Sequence, residues 1–225
     1  MAAGRERASL LLAGGRLVNV FTNEVYPADV LLAGRLVAGI FEPDDGEAQS
    51  RRDNAVEVLD LHGAFVVPGL IDGHVHIESS LVSAAEYARG VLGRGVTGAV
   101  CDPHEIANVA GEAGVRWLLN ATDALPFDVW VTVPSCVPSS PFETVGADFG
   151  HREMERLLEH PRVVGVAELM SYPEVVAGDA ATLAKARLGE ERALPVEGHA
   201  PGLRGAALQA YLASGVASDH EATVL

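Results

Sequence analysis

Two hydrophobic periodicities divide the chain. From Leu10 to Leu61 apolar and polar residues alternate over short stretches, which predicts strands at Ser9 to Leu12, Arg16 to Val20, Ala28 to Leu32, Arg35 to Ile40 and Ala55 to Asp60. Gly14-Gly15, Ala33-Gly34 and Asp44-Asp45-Gly46 supply turn chemistry between them. Glu47 to Asn54, polar and carrying Arg51-Arg52-Asp53, reads as an exposed loop. Residues 1–64 are therefore expected to form a small β domain. After Phe65 apolar strands alternate with amphipathic helices. Candidate strands end near His76, Asp102, Pro134, Glu168, His199 and His220, with helices over Ser83 to Arg94, Glu112 to Leu125, Arg152 to Glu159, Thr182 to Leu188 and Gly205 to Ser214. That repeat, roughly 20 to 35 residues, is the length of consecutive βαβ units.

Composition narrows the function classes. A net charge of −15 and a pI near 4.8 exclude a phosphate-backbone footprint, which needs clustered Lys and Arg, so no nucleic-acid partner is expected. The two cysteines, Cys101 and Cys136, form no C-x-x-C motif and indicate neither a disulfide framework nor a thiolate zinc site. Two arginines precede an apolar run near the N-terminus, but the run is too short for a secretory signal and passes straight into strand-like sequence. No stretch approaches the roughly 18 apolar residues of a membrane span. The expectation is a soluble protein of the reducing cytoplasm, with an assembly of identical chains left open.

The strongest local signal is Pro68-Gly69-Leu70-Ile71-Asp72-Gly73-His74-Val75-His76-Ile77-Glu78-Ser79-Ser80. Ala64-Phe65-Val66-Val67 before it reads as a buried strand. Side chains i and i+2 of a strand share a face, so His74 and His76 aim two imidazoles at one point while Val75 packs the other way. Neutral imidazoles held at the end of a rigid element suit a transition-metal ion. Val163-Val164-Gly165-Val166-Ala167-Glu168 is a second apolar run ending in a carboxylate, where an unpaired charge would be costly. Lys185 is the only lysine and lies in an Ala-rich helical stretch. Asp102-Pro103-His104-Glu105 adds a carboxylate and an imidazole after another strand.

Pro68 to His76 resembles the first-strand signature of the amidohydrolase superfamily, metal-dependent hydrolases built on a (β/α)8 barrel. Ile77-Glu78-Ser79-Ser80 and Asp102 to Asn108 are similar to the adenine deaminase branch, along nearly all of the chain from about Leu10. The fold class this implies is α/β: a partial (β/α)8 TIM-type barrel of about six strands over residues 65–225, preceded by the small β domain. A complete barrel takes about 250 residues. The chain is thus expected to stop before strands seven and eight, with two parallel edges open to aggregation or to a partner chain.

The resemblance also implies a ligand set. His74, His76 and Glu168 would hold one metal, and Glu168, His199 and His220 a second; the aspartate that strand eight normally contributes is missing. Where much of the superfamily carries a carboxylated lysine on strand four, adenine deaminases have glutamate, as here. Two divalent ions follow, manganese or iron first and zinc as an alternative. The implied reaction is attack of metal-activated water on C6 of adenine, giving hypoxanthine and ammonia in purine salvage. Glu78, Asp102, His104 and Glu221 are the catalytic candidates for proton transfer or purine recognition. For Asp102 and His104, proton relay, substrate contact and auxiliary metal ligation stay open. Cys136 either lines the pocket or packs, and His62, His151 and His160 read as surface histidines. Two competing readings remain: an amidohydrolase acting on another cyclic amidine or amide, and a non-catalytic, metal-binding remnant that associates with another chain.

Overall fold

The computed structural model describes residues 7–140 and 142–220; Glu221 lies outside them. Two compact units divide at Pro68 and Gly69. The first is a five-stranded sheet: β1 (Ala8–Asn19), β2 (Glu24–Ala33), β3 (Leu36–Phe41), β4 (Ala55–Asp60) and β5 (Phe65–Val66). The path is β3-β2-β1-β4 with β5 also on β1; β1–β2 and β2–β3 are antiparallel, while β4 and β5 run parallel to β1.

Three local expectations are corrected in this unit. Gly14-Gly15 is not a turn between two strands. It is a bulge inside one twelve-residue strand, with Gly14 at φ +64° and the register against β2 shifting between Leu12 and Gly15. Residues 48–53 form a helix, α1 (Ala48–Asp53), in which Arg51 is buried. Its guanidinium lies 4.6 Å from the Phe41 ring centre and grips Asp45, which draws this polar stretch onto the sheet. The run Ala64 to Val67 is not a buried strand leading to the histidines. Phe65 and Val66 pair with Arg16 and Leu17, and Phe65 and Val67 are exposed.

The second unit carries six parallel strands in sequence order: β6 (Leu70–Val75), β7 (Val96–Cys101), β8 (Asp128–Val133), β9 (Val163–Leu169), β10 (Val196–Gly198) and β11 (Ser218–Asp219). Helices cross between them: α2 (Ala84–Leu92), α3 (His104–Ala121), α4 (His151–Leu158), α5 (Tyr172–Ala177) with α6 (Ala180–Glu191), and α7 (Gly205–Leu212). The Ser83 hydroxyl caps α2 by accepting the Glu86 N–H, and Asp179 caps α6 by accepting the Thr182 N–H. α4 buries Met154, Leu157 and Leu158, an i, i+3, i+4 stripe. β8 and β9 are nearly continuous apolar runs because parallel strands are covered on both faces. The core accordingly gathers Val129, Val131, Val133, Val166 and Leu169 with Leu119, Met154, Leu157 and Leu188 from the helices.

The sheet is curled. Neighbouring strands stand about 4.8 Å apart, so six laid flat would separate β6 from β11 by about 24 Å. Instead the ring of His74 on β6 stacks on that of His220, just after β11, with centroids 4.5 Å apart. This is the six-stranded part-barrel of an α/β fold, and its C-terminal strand ends converge on one point. No helix among the described residues is long and apolar enough to cross a membrane.

Candidate metal centre

Three strand ends place the four histidines of the convergence point. His74 lies within β6, and His76 follows it at φ −105°, ψ 94°, still extended, so the two project together before the chain tightens into a 3-10 turn at Ile77–Ser80. Glu168 stands in β9, fully covered, with its backbone carbonyl accepting the Ser135 hydroxyl at 2.6 Å. The single lysine, Lys185 on α6, donates to the Ser135 carbonyl at 2.7 Å and so supports this strand end from behind. His199 follows β10, its N–H donating to the Tyr211 hydroxyl at 2.8 Å; that hydroxyl donates to the Leu169 carbonyl. β10 passes so close to its neighbour that a Cβ on Gly198 would lie 2.6 Å from Val216 and 2.7 Å from the Ser218 carbonyl. Asp219 accepts the Ala200 N–H and fixes the turn after His199.

The donor atoms crowd around one carboxylate. Glu168 Oε1 is 2.6 Å from His74 Nε2, 3.5 Å from His76 Nε2 and 3.3 Å from His220 Nε2; Oε2 is 3.7 Å from His199 Nδ1. His74 Nε2 and His76 Nε2 are 3.2 Å apart, and His199 Nδ1 and His220 Nε2 3.4 Å. Oε1 nevertheless meets no N–H in aligned hydrogen-bond geometry among the described residues, although the donor atoms all face it. Ligand atoms about 2.0–2.2 Å from one ion stand about 3.0–3.5 Å from each other, and the separations here, 2.6 to 3.7 Å, centre on that range. A carboxylate bridging imidazoles from both sides suits divalent ions, and the residues fit that group.

The far nitrogens are held as well. His74 Nδ1 lies 3.4 Å from Glu197 Oε2, whose other close partner is the Thr132 hydroxyl, and His76 Nδ1 lies 2.9 Å from the Asp102 carbonyl. Fixing Nδ1 in this way leaves Nε2 to face the cluster. Without a cation, protons take its place: Glu168, with Glu197 second, raises His74 to about 10 against the opposing effect of burial. Glu168 and the Asp102 carbonyl raise His76 to about 9, again against burial. Burial pushes Glu168 upward, but His74 and His76 outweigh it and hold the carboxylate below its usual range.

The remaining sequence candidates divide. His104, at the start of α3, joins the cluster: its Nδ1 is 2.9 Å from Asp102 Oδ2 and its ring centre 4.6 Å from that of His76. Asp102 is covered, and burial raises its pKa despite the opposing effect of His104. Glu78 turns elsewhere. It accepts the Ile106 N–H at 3.3 Å and borders a cavity with Ile77, Ser83 and Trp117, where burial raises its pKa. Cys136 is buried and contacts Ser135 and the Ser171 N–H. His151 is half exposed at the head of α4 and pairs with Glu155. Glu197 is the residue at the cluster that sequence reasoning passed over, although an acidic residue two positions before His199 in a short apolar strand was a usable signal.

Residues 65–224 match the amidohydrolase family. The chain belongs to that family. Over all of its length it is 46% identical to the adenine deaminase of Nitratidesulfovibrio vulgaris, and over 99% of it 42% identical to that of Kosmotoga olearia. The chain spans about 37% of the length of either relative. Among solved structures, N-acyl-D-glutamate deacylase from Bordetella bronchiseptica, complexed with zinc and a phosphonate inhibitor, is similar at TM-score 0.63 and 19% identity, over 95% of this chain and 51% of that one. An atrazine chlorohydrolase mutant from Arthrobacter aurescens, complexed with zinc and atraton, is similar at TM-score 0.59 and 14% identity, over 92% and 58%. These structural likenesses carry the fold of the amidohydrolase barrel.

Proposed function

We propose that this chain forms part of a hydrolase that deaminates adenine to hypoxanthine and ammonia, and that His74, His76, Glu168, His199 and His220 hold two divalent ions. The observation that carries the reading is the convergence of four imidazoles on the buried carboxylate of Glu168, in a chain 42–46% identical to adenine deaminases. Manganese or iron is the first choice and zinc the alternative. Such ions supply Lewis acidity and bring the pKa of water towards about 7. The chain's own part is orientation. Glu197 and the Asp102 carbonyl set the tautomers of His74 and His76, and Tyr211 sets the direction of His199. Hydrolysis of a C–N bond also requires a proton on the ring nitrogen and another on the departing amine. We assign that need to the sequence candidates Asp102, His104, Glu78 and Glu221, of which Asp102 and His104 stand at the cluster.

The test is hypoxanthine formation from adenine by the purified chain, first metal-free and then with manganese or iron. Metal-dependent turnover supports the assignment, whereas turnover of other cyclic amidines or amides but not adenine moves the substrate. A second reading rests on the open edge of β6, where Leu70 and Ile71 are each 59% exposed. In it the chain holds metal without catalysis and pairs with another chain through that edge. Sizing chromatography with no turnover and a concentration-dependent larger species favours this second reading; a compact monomer rejects it.

A further inference from the structure

The histidines and Glu168 admit a division of ligands other than one by strand order. His74, Glu168 and His220 each offer a donor atom within 4.8 Å of the others, and so do His76, His104 and Glu168. Glu168 belongs to both groups. His104 enters the group of His76, whose Nε2 also stands 3.2 Å from that of His74. From this we infer that His104 is itself a metal ligand, completing with His76 and Glu168 one position of the centre, and that Asp102 is the carboxylate that holds it for that task. The inference rests on the metal-centre reading above and deepens it.

Three features of the chain favour ligation by His104 over a role in proton transfer. The first is the tautomer. Asp102 Oδ2 stands 2.9 Å from His104 Nδ1, so the N–H sits on Nδ1 and the Nε2 lone pair is presented. The second is position: the His104 and His76 rings meet edge to face at 66°, centroids 4.6 Å apart, an arrangement that lets two imidazoles share one ion without stacking over it. The third is Asp102. Its side chain is 1% exposed, and its second oxygen, Oδ1, finds no hydrogen-bond partner among the described residues. A carboxylate buried with an oxygen unmet is costly, and positive charge nearby offsets that cost. The same residue reaches His76 through its backbone carbonyl, 2.9 Å from Nδ1, so one residue orients both imidazoles of the position. The Pro103 that follows Asp102 sets up the entry into α3, whose first residue is His104.

The assignment separates the ionisable groups of the mouth. It narrows the proton-transfer assignment made above: His104 ligates instead, and proton transfer falls to the carboxyl candidates other than Asp102. It makes Asp102 a positioning residue.

The experiment uses the full chain, cobalt(II) as the probe, metal equivalents retained after gel filtration, and the visible absorption of the bound cobalt. Wild type is expected to retain two equivalents. His104→Ala is expected to retain one, with the second bound at least 10-fold more weakly and an altered cobalt band; added imidazole should restore the second equivalent. Asp102→Asn is expected to weaken that equivalent about 10-fold while keeping the stoichiometry, the usual scale for an orienting partner. Circular dichroism reports folding, and His104→Gln, which retains a hydrogen bond to Asp102, substitutes if the alanine variant unfolds. Two equivalents bound by the His104 variant with wild-type affinity and an unchanged band overturn the inference while leaving the metal centre intact. Wild type binding no cobalt overturns both.

Discussion

In the first unit Arg51, 7% exposed, lies between the carboxylates of Asp45 at 2.8 Å and Asp29 at 3.7 Å, with the Phe41 ring beneath it. In the second, Glu168, 2% exposed, lies among His74, His76, His199 and His220. Both bury negative charge on a sheet. The first cluster brings its own permanent cation, with five donors in a fixed fork, and its geometry is that of directed hydrogen bonds. The second brings only lone pairs and titratable protons, and its contacts are short without being aligned. A cluster that closes on itself is structural, whereas one whose donors all point at the same place asks for something from outside.

That contrast is broken most severely at Glu168. Glu168→Gln removes the charge and one carboxylate oxygen that would serve the two ions while keeping the volume, so metal retained after dialysis should fall from two equivalents to none, a loss of about 100-fold or more in affinity. Full retention by elemental analysis would mean that the histidines hold the ions without it. Arg51→Ala should do the reverse. Asp29 is left buried beside an empty space, and breaking a buried pair costs about 3 kcal/mol or somewhat more. Urea unfolding should register that loss while metal content is unchanged; a variant as stable as wild type would show that the pair is replaceable by water.

The two clusters also differ in how far the sequence reveals them. His74 and His76 were legible because a strand's period of two puts them on one face, and Glu168 because a carboxylate ending a buried apolar run needs partners. The six parallel strands followed from alternation of apolar runs with amphipathic stretches. What sequence missed is set by distant partners. Arg51 reads as a loop residue until Phe41, Asp29 and Asp45 are brought to it, and Ala64 to Val67 reads as a buried barrel strand until Arg16 and Leu17 claim it. α3 begins eight residues before the periodicity suggests, because Gly111, at φ 60° and ψ −145°, interrupts the helical pattern. Nothing in the pattern announces the short α5 at Tyr172–Ala177.

Protonation gives a smaller effect that again separates the clusters. In the metal-free chain His74 and His76 titrate at about 10 and about 9, above the roughly 6.5 of an unfolded histidine. A raised folded-state pKa contributes stability that is whole below about pH 6.5 and disappears as pH climbs through 9 to 10. Metal-free protein should therefore lose stability over that interval, and metal-loaded protein, whose imidazoles are already neutral, should not. By the same sign, metal binding at pH 8 must expel these protons, so affinity should rise with pH until they are gone. Calorimetry in buffers of different ionisation enthalpy measures the release. Binding with no proton release at pH 8 would place the ions away from His74 and His76.

The smallest of these effects belongs to Glu197, which touches the centre only through His74 Nδ1, 3.4 Å from its Oε2. Its position is peripheral but defined, since the Thr132 hydroxyl holds the same oxygen at 3.3 Å. Glu197→Gln keeps an acceptor in place and removes the charge that makes the imidazole a stronger donor to an ion, so affinity should fall about 10-fold with both equivalents retained. Thr132→Val, which frees the carboxylate from its second partner, should produce a smaller loss in the same direction. Because both residues lie on strands of the second unit, urea unfolding of the metal-free variants tests whether the change is local. A metal-affinity loss that merely tracks lost stability would assign Glu197 to the structural kind of cluster, and a loss at unchanged stability to the kind that organises His74 for an ion.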